Sequence, residues 1–221
     1  MDPARLLISS RNYSSWSLRG FLLARLAGLD FVVEPVNLND PAVRAELLLQ
    51  SSSIRLPCLI HDGLRIWDTM AIAEYLAEIR PEAGLYPADR VARARCRSIA
   101  GEMHAGFHAL RASLPMNLRA RRPGFRVWSG PRADIQRVLQ IWRDCLGTWK
   151  GPWLFGDRPC MGDAMYAPVV TRFLTYDVKL DSDCASYAQQ VMQWAPMAEW
   201  IAAAQDEPEP PIHELEVEAE F

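Results

Sequence analysis

The segment from Arg55 to Thr69 constrains the fold more than any other part of the sequence. It reads RLPCLIHDGLRIWDT, which predicts an apolar strand that begins at a proline, an Asp-Gly hairpin turn, a second short strand and the start of a helix. Because proline cannot donate to a sheet ladder, it is expected at a strand start, an edge or a bulge. We therefore expect the backbone of Leu56, directly before Pro57, to be available for a partner that is not a strand.

The same segment enters its helix at Asp68 and Thr69. The first N–H groups of a helix lack intrahelical partners and can bind a carboxylate. The segment thus offers a strand-like edge for a peptide backbone and a socket for a charged amino-acid end. This combination predicts a site for a small peptide ligand.

The pattern of strands and helices divides the chain into two domains and a tail. Up to about residue 80 the order is β-α-β-α-β-β-α, in which a right-handed crossover would pair the first two strands in parallel and the last two would form a hairpin. We predict an α/β domain over residues 1–80 and an all-helical domain over residues 88–205, with one long helix from Arg90 to about Leu114. Residues 206–221 hold seven acidic residues and no Lys or Arg, which predicts an acidic, Pro-rich tail that is extended over the surface or mobile.

Composition excludes several classes of protein. Half of the residues are apolar and 23% are charged, which favours a packed core over disorder. No stretch approaches the roughly 20 apolar residues of a membrane span, and the N-terminus lacks the features of a signal peptide. The net charge of −3 gives no signal for nucleic-acid binding. We expect a soluble cytoplasmic protein with no membrane or nucleic-acid partner.

The cysteines and histidines do not form a recognisable metal-binding pattern. Five widely spaced cysteines favour reduced thiols over a disulfide framework. His104 and His108 are four residues apart on the predicted long helix, but no third ligand accompanies them. We predict no metal and expect these histidines to be partly buried on the helix that faces the first domain.

The turn between the first strand and the first helix contains Ser14 and Ser15. Both are natural N-cap residues, so a purely structural role is one interpretation. The other is that a hydroxyl and the helix dipole together hold an anionic ligand atom. Such a site lowers the pKa of a thiol from its usual value of about 8.5, and the thiolate is the nucleophile.

These features together resemble the cytosolic glutathione transferases over about residues 5–205. The resemblance rests on the α/β order, the serine-containing turn, Leu56-Pro57, the pattern DTMAIAEYL that begins at Asp68, and the helical second half. It implies a thioredoxin-like N-terminal domain, an all-α C-terminal domain, a homodimer, and glutathione as the cosubstrate with no metal. The activity it implies is attack of glutathione on a small electrophile, as in detoxification.

The resemblance also implies roles for individual residues. In that family the peptide bond before the proline that matches Pro57 is cis, and the backbone that matches Leu56 pairs with the cysteinyl part of glutathione. Asp68 would meet the γ-glutamyl ammonium, while Thr69 and the helix N–H groups would meet its carboxylate.

The residue that activates the thiol is less sharply defined. Ser14 lies five residues before Arg19, where serine-type members carry their hydroxyl, so the resemblance implies Ser14 as the catalytic residue, with Tyr13 and Ser15 as alternatives. The resemblance implies that both Ser14 and Ser15 contact glutathione. The zeta class, which includes maleylacetoacetate isomerases, has Ser-Ser-Cys where this chain has Asn12, Tyr13 and Ser14. We therefore interpret the chain as a transferase and keep two alternatives, a glutathione-dependent cis–trans isomerase and a non-catalytic glutathione-binding module.

The helical half offers two further interpretations. Met103, Phe107 and Met116, together with Tyr13, are candidates for an electrophile pocket, and for the three helical-domain residues a place in the ordinary core is the open alternative. Asp163 lies in a sequence that resembles the family's second-domain capping motif, in which an acid completes the cap of a buried helix. We expect its role to be structural.

Overall fold

The computed structural model describes residues 3–50 and 53–208. Residues 209–221, most of the predicted acidic tail, lie outside this range. The N-terminal domain is built on one four-stranded sheet with the strand order β2-β1-β3-β4. The strands are β1 (Ala4–Ile8), β2 (Phe31–Pro35), β3 (Cys58–His61) and β4 (Leu64–Trp67).

Strand pairing follows the predicted connections. β1 pairs with β2 in parallel and with β3 antiparallel, so that Leu6 lies opposite Leu59. β3 and β4 form a hairpin through Asp62 and Gly63, both of which have positive φ, 49° and 76°. Two left-handed residues give a hairpin turn whose twist matches that of the strands. The predicted parallel pair and the predicted hairpin are both confirmed.

In the described part of the chain, three helices alternate with the strands of this domain, and six helices form the second domain. The N-terminal domain contains α1 (Ser15–Leu26), α2 (Pro41–Gln50) and α3 (Thr69–Ile79), and a short 3₁₀ turn (Pro81–Ala83) follows. The second domain contains α4 (Arg90–Ala105), α5 (His108–Ser113), α6 (Ser129–Trp149), α7 (Met161–Thr175), α8 (Ser182–Met192) and α9 (Ala195–Gln205). Within residues 3–50 and 53–208, none of these helices is both long and apolar enough to cross a bilayer.

The prediction of one continuous helix from Arg90 to Leu114 is wrong. The helix breaks between α4 and α5, because Phe107 adopts a left-handed conformation with φ of 61°. A Cβ atom on Gly106 would lie 2.8 Å from the carbonyl oxygen of Glu102, so glycine permits the tight exit from α4. His104 therefore belongs to α4 and the exposed His108 to α5, and the two do not share one helical face.

The core runs through both domains and centres on α7, most of which is buried. Arg19 of α1 is 1% exposed, and its Nε donates to the carbonyl of Met165 on α7 at 2.7 Å. This bond joins the two domains through their interior. All five cysteines are buried free thiols, which agrees with the prediction of reduced thiols.

Asp163 has the structural surroundings that the capping motif predicts. Its side chain is fully buried, and its two carboxylate oxygens accept from the N–H groups of Leu154 at 3.0 Å and Cys160 at 2.9 Å. Burial raises the pKa of Asp163 to about 6, although these backbone donors oppose the rise. The carboxylate thus ties the loop before α7 to the first turn of that helix.

Candidate functional site

Ser14 is the N-cap of α1 in the structure. Its Oγ accepts from the N–H of Ser17 at 3.3 Å and donates to the Oγ of Ser17 at 2.9 Å, and its side chain is half-buried. A serine hydroxyl carries one proton and two acceptor lone pairs. Ser14 can therefore keep its cap bond while its proton turns from Ser17 towards a thiolate placed at the helix N-terminus.

The two neighbouring candidates have different surroundings. Ser15 is 8% exposed, and its Oγ accepts from Nη1 of Arg19 at 3.3 Å, so its hydroxyl is turned into the protein. Tyr13 is half-buried, and its N–H donates to the Oγ of Ser10 at 3.1 Å. Of the two serines, only Ser14 combines partial exposure with a proton free to change partner.

The Leu56–Pro57 peptide bond is cis, as the family resemblance implies. Pro57 is buried against α1, where a Cβ atom on Gly20 would lie only 2.8 Å from the proline Cγ. Glycine at this position lets the helix approach the proline closely. Among the described residues, the backbone of Leu56 has no hydrogen-bond partner, so its polar groups remain available to a ligand.

Asp68 and Thr69 begin α3 as predicted. Asp68 is the N-cap, and its Oδ1 accepts from the N–H of Met70 at 2.7 Å; Thr69 is 2% exposed at the first helical position. Asp68 has φ of 48° and ψ of 154°, a conformation that costs a non-glycine residue about 1–3 kcal/mol. Such conformations are concentrated at functional sites, which favours a binding role for Asp68 in addition to capping.

A histidine from the helical domain completes this region. Nε2 of His104 lies 2.6 Å from Oδ2 of Asp68, and its ring packs edge-on against Trp16, with 5.3 Å between ring centroids. Trp16 is two residues after Ser14, so this contact links the serine turn to the N-cap of α3. Sequence reasoning assigned His104 only to the surface between the domains, because no local pattern connects it to Asp68.

Two arginines lie over the ring of the same tryptophan, and a third contacts one of them. The Cζ atoms of Arg19 and Arg111 are 4.5 Å and 4.4 Å from the centroid of the Trp16 ring, and the buried Arg172 donates to the carbonyl of Arg111. Burial lowers the pKa of all three, and the neighbouring positive charges lower it further for Arg19 and Arg172, the latter to about 10. Among the described residues, none of the three forms an ion pair with a carboxylate. Arg19 and Arg172 instead donate to backbone carbonyls, those of Met165 and Leu114 among them.

Three of the four candidates for the electrophile pocket are largely buried. Met103, Phe107 and Met116 are 1%, 7% and 2% exposed and belong to the hydrophobic core. Their burial favours the core alternative, and the pocket role of these three residues stays a prediction. Of the four pocket candidates, only Tyr13 is more than marginally exposed.

Comparison with known proteins bears on both halves of the chain. The family model described as "Glutathione S-transferase, N-terminal domain" matches residues 13–79, and the one described as "Glutathione S-transferase, C-terminal domain" matches residues 132–203. The maleylacetoacetate isomerase of Rhizobium meliloti (strain 1021) is 32% identical over 179 residues, which cover 76% of this chain and 81% of that protein.

Solved structures share the same architecture. The crystal structure of a glutathione transferase homolog from Burkholderia GL BGR1 with bound glutathione has a TM-score of 0.71 at 21% identity, covering 94% of this chain and 100% of that one. The crystal structure of maleylacetoacetate isomerase from Anaeromyxobacter dehalogenans 2CP-1 has a TM-score of 0.65 at 26% identity, covering 95% of each chain. The predicted fold, a thioredoxin-like domain followed by an all-helical domain, is confirmed.

Proposed function

Because the chain belongs to the cytosolic glutathione S-transferase family, we propose that it is an enzyme that binds glutathione and directs its thiol onto a small electrophile. The observation that carries this proposal is the half-buried hydroxyl of Ser14 at the N-terminus of α1. The free backbone of Leu56 and the unusual N-cap conformation of Asp68 support glutathione as the cosubstrate.

The proposed binding mode assigns one part of glutathione to each element. The γ-glutamyl ammonium meets the carboxylate of Asp68, its carboxylate meets Thr69 and the N-terminus of α3, and the cysteinyl backbone pairs with Leu56. The thiol then lies near Ser14, where the positive end of the α1 dipole stabilises negative charge.

Ser14 acts in this proposal by stabilising the thiolate. When the thiol loses its proton to solvent, the Ser14 hydroxyl donates a hydrogen bond to the sulfur, and the lowered pKa keeps more thiolate at neutral pH. The thiolate forms a bond to the electrophilic carbon, and the leaving group departs with its bonding electron pair. The helical domain supplies the second face of the site through α4, which carries His104.

Glutathione-dependent cis–trans isomerisation is the second candidate function. Similarity to maleylacetoacetate isomerases favours it. The half-buried Arg111 beside Trp16 also favours it, since the substrate of such an enzyme is an anionic unsaturated keto acid. The Nε of Arg111 is buried without an acceptor among the described residues. In this reaction the thiolate adds to the double bond, the new single bond rotates, and glutathione leaves unchanged. Ser14 occupies the place of the zeta-class cysteine, which weakens this candidate.

We also propose that the enzyme is a cytoplasmic homodimer. Family membership supports both statements, and five buried free thiols suit a reducing compartment. Light scattering of the purified protein tests the dimer, and a monomeric mass would contradict it.

The test measures binding and turnover separately. The melting temperature is determined with and without glutathione, where saturation at 100 times Kd should add about 2.7 kcal/mol to the free energy of unfolding. Turnover is then measured with a generic aromatic electrophile and, in parallel, as isomerisation of maleylacetoacetate. Conjugation supports the transferase, isomerisation alone supports the second candidate, and binding without turnover supports the non-catalytic module. Absence of any stabilisation by glutathione would contradict all three.

A further inference from the structure

The carboxylate of Glu207 binds the turn that leads to Ser14. Its Oε1 accepts from the backbone N–H of Arg11 at 2.7 Å, and its Oε2 accepts from the N–H of Asn12 at 2.9 Å and the hydroxyl of Ser10 at 2.8 Å. Three donors on consecutive residues therefore converge on one carboxylate. The sequence predicts a tail over residues 206–221 that is extended over the surface or mobile, and Glu207 near its start is fixed to the surface by these three bonds.

Glu207 is itself held at the end of α9. The guanidinium of Arg119 donates to the carbonyl of Ala204 at 2.9 Å and 2.6 Å and also to the carbonyl of Glu207. The indole N–H of Trp200 on the same helix donates to the carbonyl of Arg11 at 2.9 Å. The segment after α9 is thus fixed to the helical domain on one side and to the serine turn on the other.

Asn12 strengthens the same connection. Its side chain, 1% exposed, donates to Oδ1 of Asn117 at 3.2 Å and accepts from the N–H of Arg119 at 3.1 Å. Its carbonyl accepts from the N–H of Leu118 at 3.4 Å. The side chain and the carbonyl of Asn12 thus bind residues 117–119, whereas its backbone N–H has Glu207 as its acceptor.

The connection reaches Ser14 through Ser10. The hydroxyl of Ser10 donates to Glu207 and accepts from the N–H of Tyr13 at 3.1 Å. The carbonyl of Ser10 accepts from the N–H of Ser14 at 3.2 Å. A displacement of Ser10 would therefore move both residues that precede α1.

We propose that Glu207 is a positioning residue that fixes the serine turn, and through Ser10 holds Ser14 at the N-terminus of α1 for its bond to the glutathione sulfur. This inference rests on the proposed function. Hydrogen bonds to an ionised acceptor are shorter and stronger than neutral ones, and successive backbone N–H groups in a turn form a natural site for an anion. A group that stabilises a thiolate must be held within about 0.5 Å of its productive place. Because the carboxylate of Glu207 binds three donors of the turn, its loss should displace the Ser14 hydroxyl and slow the reaction.

The test compares Glu207→Gln with Asp206→Asn in the full chain. Asp206 is the exposed neighbour of Glu207, so the control removes the same charge one residue away. We expect Glu207→Gln to lower kcat about tenfold and to shift the ultraviolet titration of the bound thiol to higher pH. The Kd for glutathione should stay unchanged at a pH below the pKa of the bound thiol, because the thiol is then protonated in both proteins and Leu56 and Asp68 lie on other elements. Asp206→Asn should match the wild type throughout.

A second variant separates positioning from folding. Glu207→Ala leaves space for a small carboxylate, so added acetate should restore part of its kcat, whereas added chloride at the same ionic strength should not. Equal kcat and equal thiol titration in Glu207→Gln and Asp206→Asn would overturn the proposal, and so would the absence of acetate rescue in a folded Glu207→Ala.

Hydrogen exchange keeps this inference separate from the proposed function. Should the wild type fail to bind glutathione, the proposed function fails, but the amides of Arg11 and Asn12 still report on the anchor. Faster exchange of these two amides in Glu207→Ala than in Asp206→Asn supports the anchoring, and equal rates overturn it.

Discussion

Nε2 of His104 on α4 lies 2.6 Å from Oδ2 of Asp68 at the N-cap of α3. This contact brings the helical domain directly onto the residue that we propose holds the γ-glutamyl ammonium. Asp68 uses its other oxygen for the N–H of Met70, so each carboxylate oxygen has a defined partner before any ligand arrives. The site is thus assembled from both domains.

Asp68→Asn should weaken glutathione binding with little loss of stability. Asparagine is a good N-cap and tolerates positive φ, so the helix start is preserved while the charge is lost. A hydrogen bond to a charged group contributes about 1.5–3 kcal/mol, which corresponds to roughly a 10- to 150-fold rise in Kd by titration calorimetry. Asp89→Asn is the matched control, because Asp89 caps α4 through the N–H of Ala92. Equal Kd values for both variants would contradict the role of Asp68.

Ser14→Ala should remove turnover more than it removes stability. Loss of the N-cap costs about 1 kcal/mol, whereas loss of a hydrogen bond to a thiolate should lower kcat about 10- to 150-fold. Asp181→Ala is the control, since Asp181 caps α8 by accepting from the N–H of Cys184. It should lower the melting temperature by a similar amount and leave kcat intact. Unchanged kcat in Ser14→Ala would transfer the role to Tyr13.

Gly20→Ala should disturb both stability and glutathione binding. The new Cβ would lie 2.8 Å from Cγ and 2.9 Å from Cβ of Pro57, and a proline ring tied to its backbone cannot rotate away. We expect a loss of about 1–3 kcal/mol on unfolding in denaturant and a higher Kd, because Leu56 moves with Pro57. Gly101→Ala in α4 meets nothing within 4 Å and should instead add about 0.5–1 kcal/mol. A Gly20→Ala protein as stable as the wild type would refute the close packing.

Asp163 should make stability depend on pH in the acidic range. Burial raises its pKa in the folded state to about 6, above the value of about 3.9 expected in the unfolded chain. Because the pKa is raised in the folded state, the stability that Asp163 contributes is fully present below about pH 4. This stability is lost as the pH rises through about 6. The difference in unfolding free energy between wild type and Asp163→Asn should therefore shrink by roughly 2 kcal/mol from pH 4 to pH 7.

The comparison of wild type with Asp163→Asn contains its own control. All other titrating groups are shared by the two proteins, so denaturant unfolding at several pH values isolates this carboxyl. Glutathione affinity should change less than stability, because Asp163 lies in the capping region of α7 rather than among the binding residues. A difference in unfolding free energy that is flat with pH would contradict the assignment.

Local sequence signals predicted the order of strands and helices in the N-terminal domain, the proline-led hairpin, and helix starts at the serine turn and at Asp68. They failed at Gly106 and Phe107, where apolar periodicity continues across a break that a left-handed backbone imposes. The same periodicity left Met103 and Phe107 compatible with either a pocket or the core. A repeat of 3.6 residues indicates which side chains share a helical face, but it does not indicate what packs against that face.

The sequence by itself determined the two-domain fold, the proline-led strand and the helix starts, since turns, caps and periodicity act between residues close in the chain. Only the tertiary structure decided which groups complete the site. His104 meets Asp68 across 36 positions of sequence, and Glu207 reaches the serine turn across 195 to 197. Such contacts depend on how packed helices bring distant side chains within hydrogen-bonding distance, and no local pattern in either partner records them.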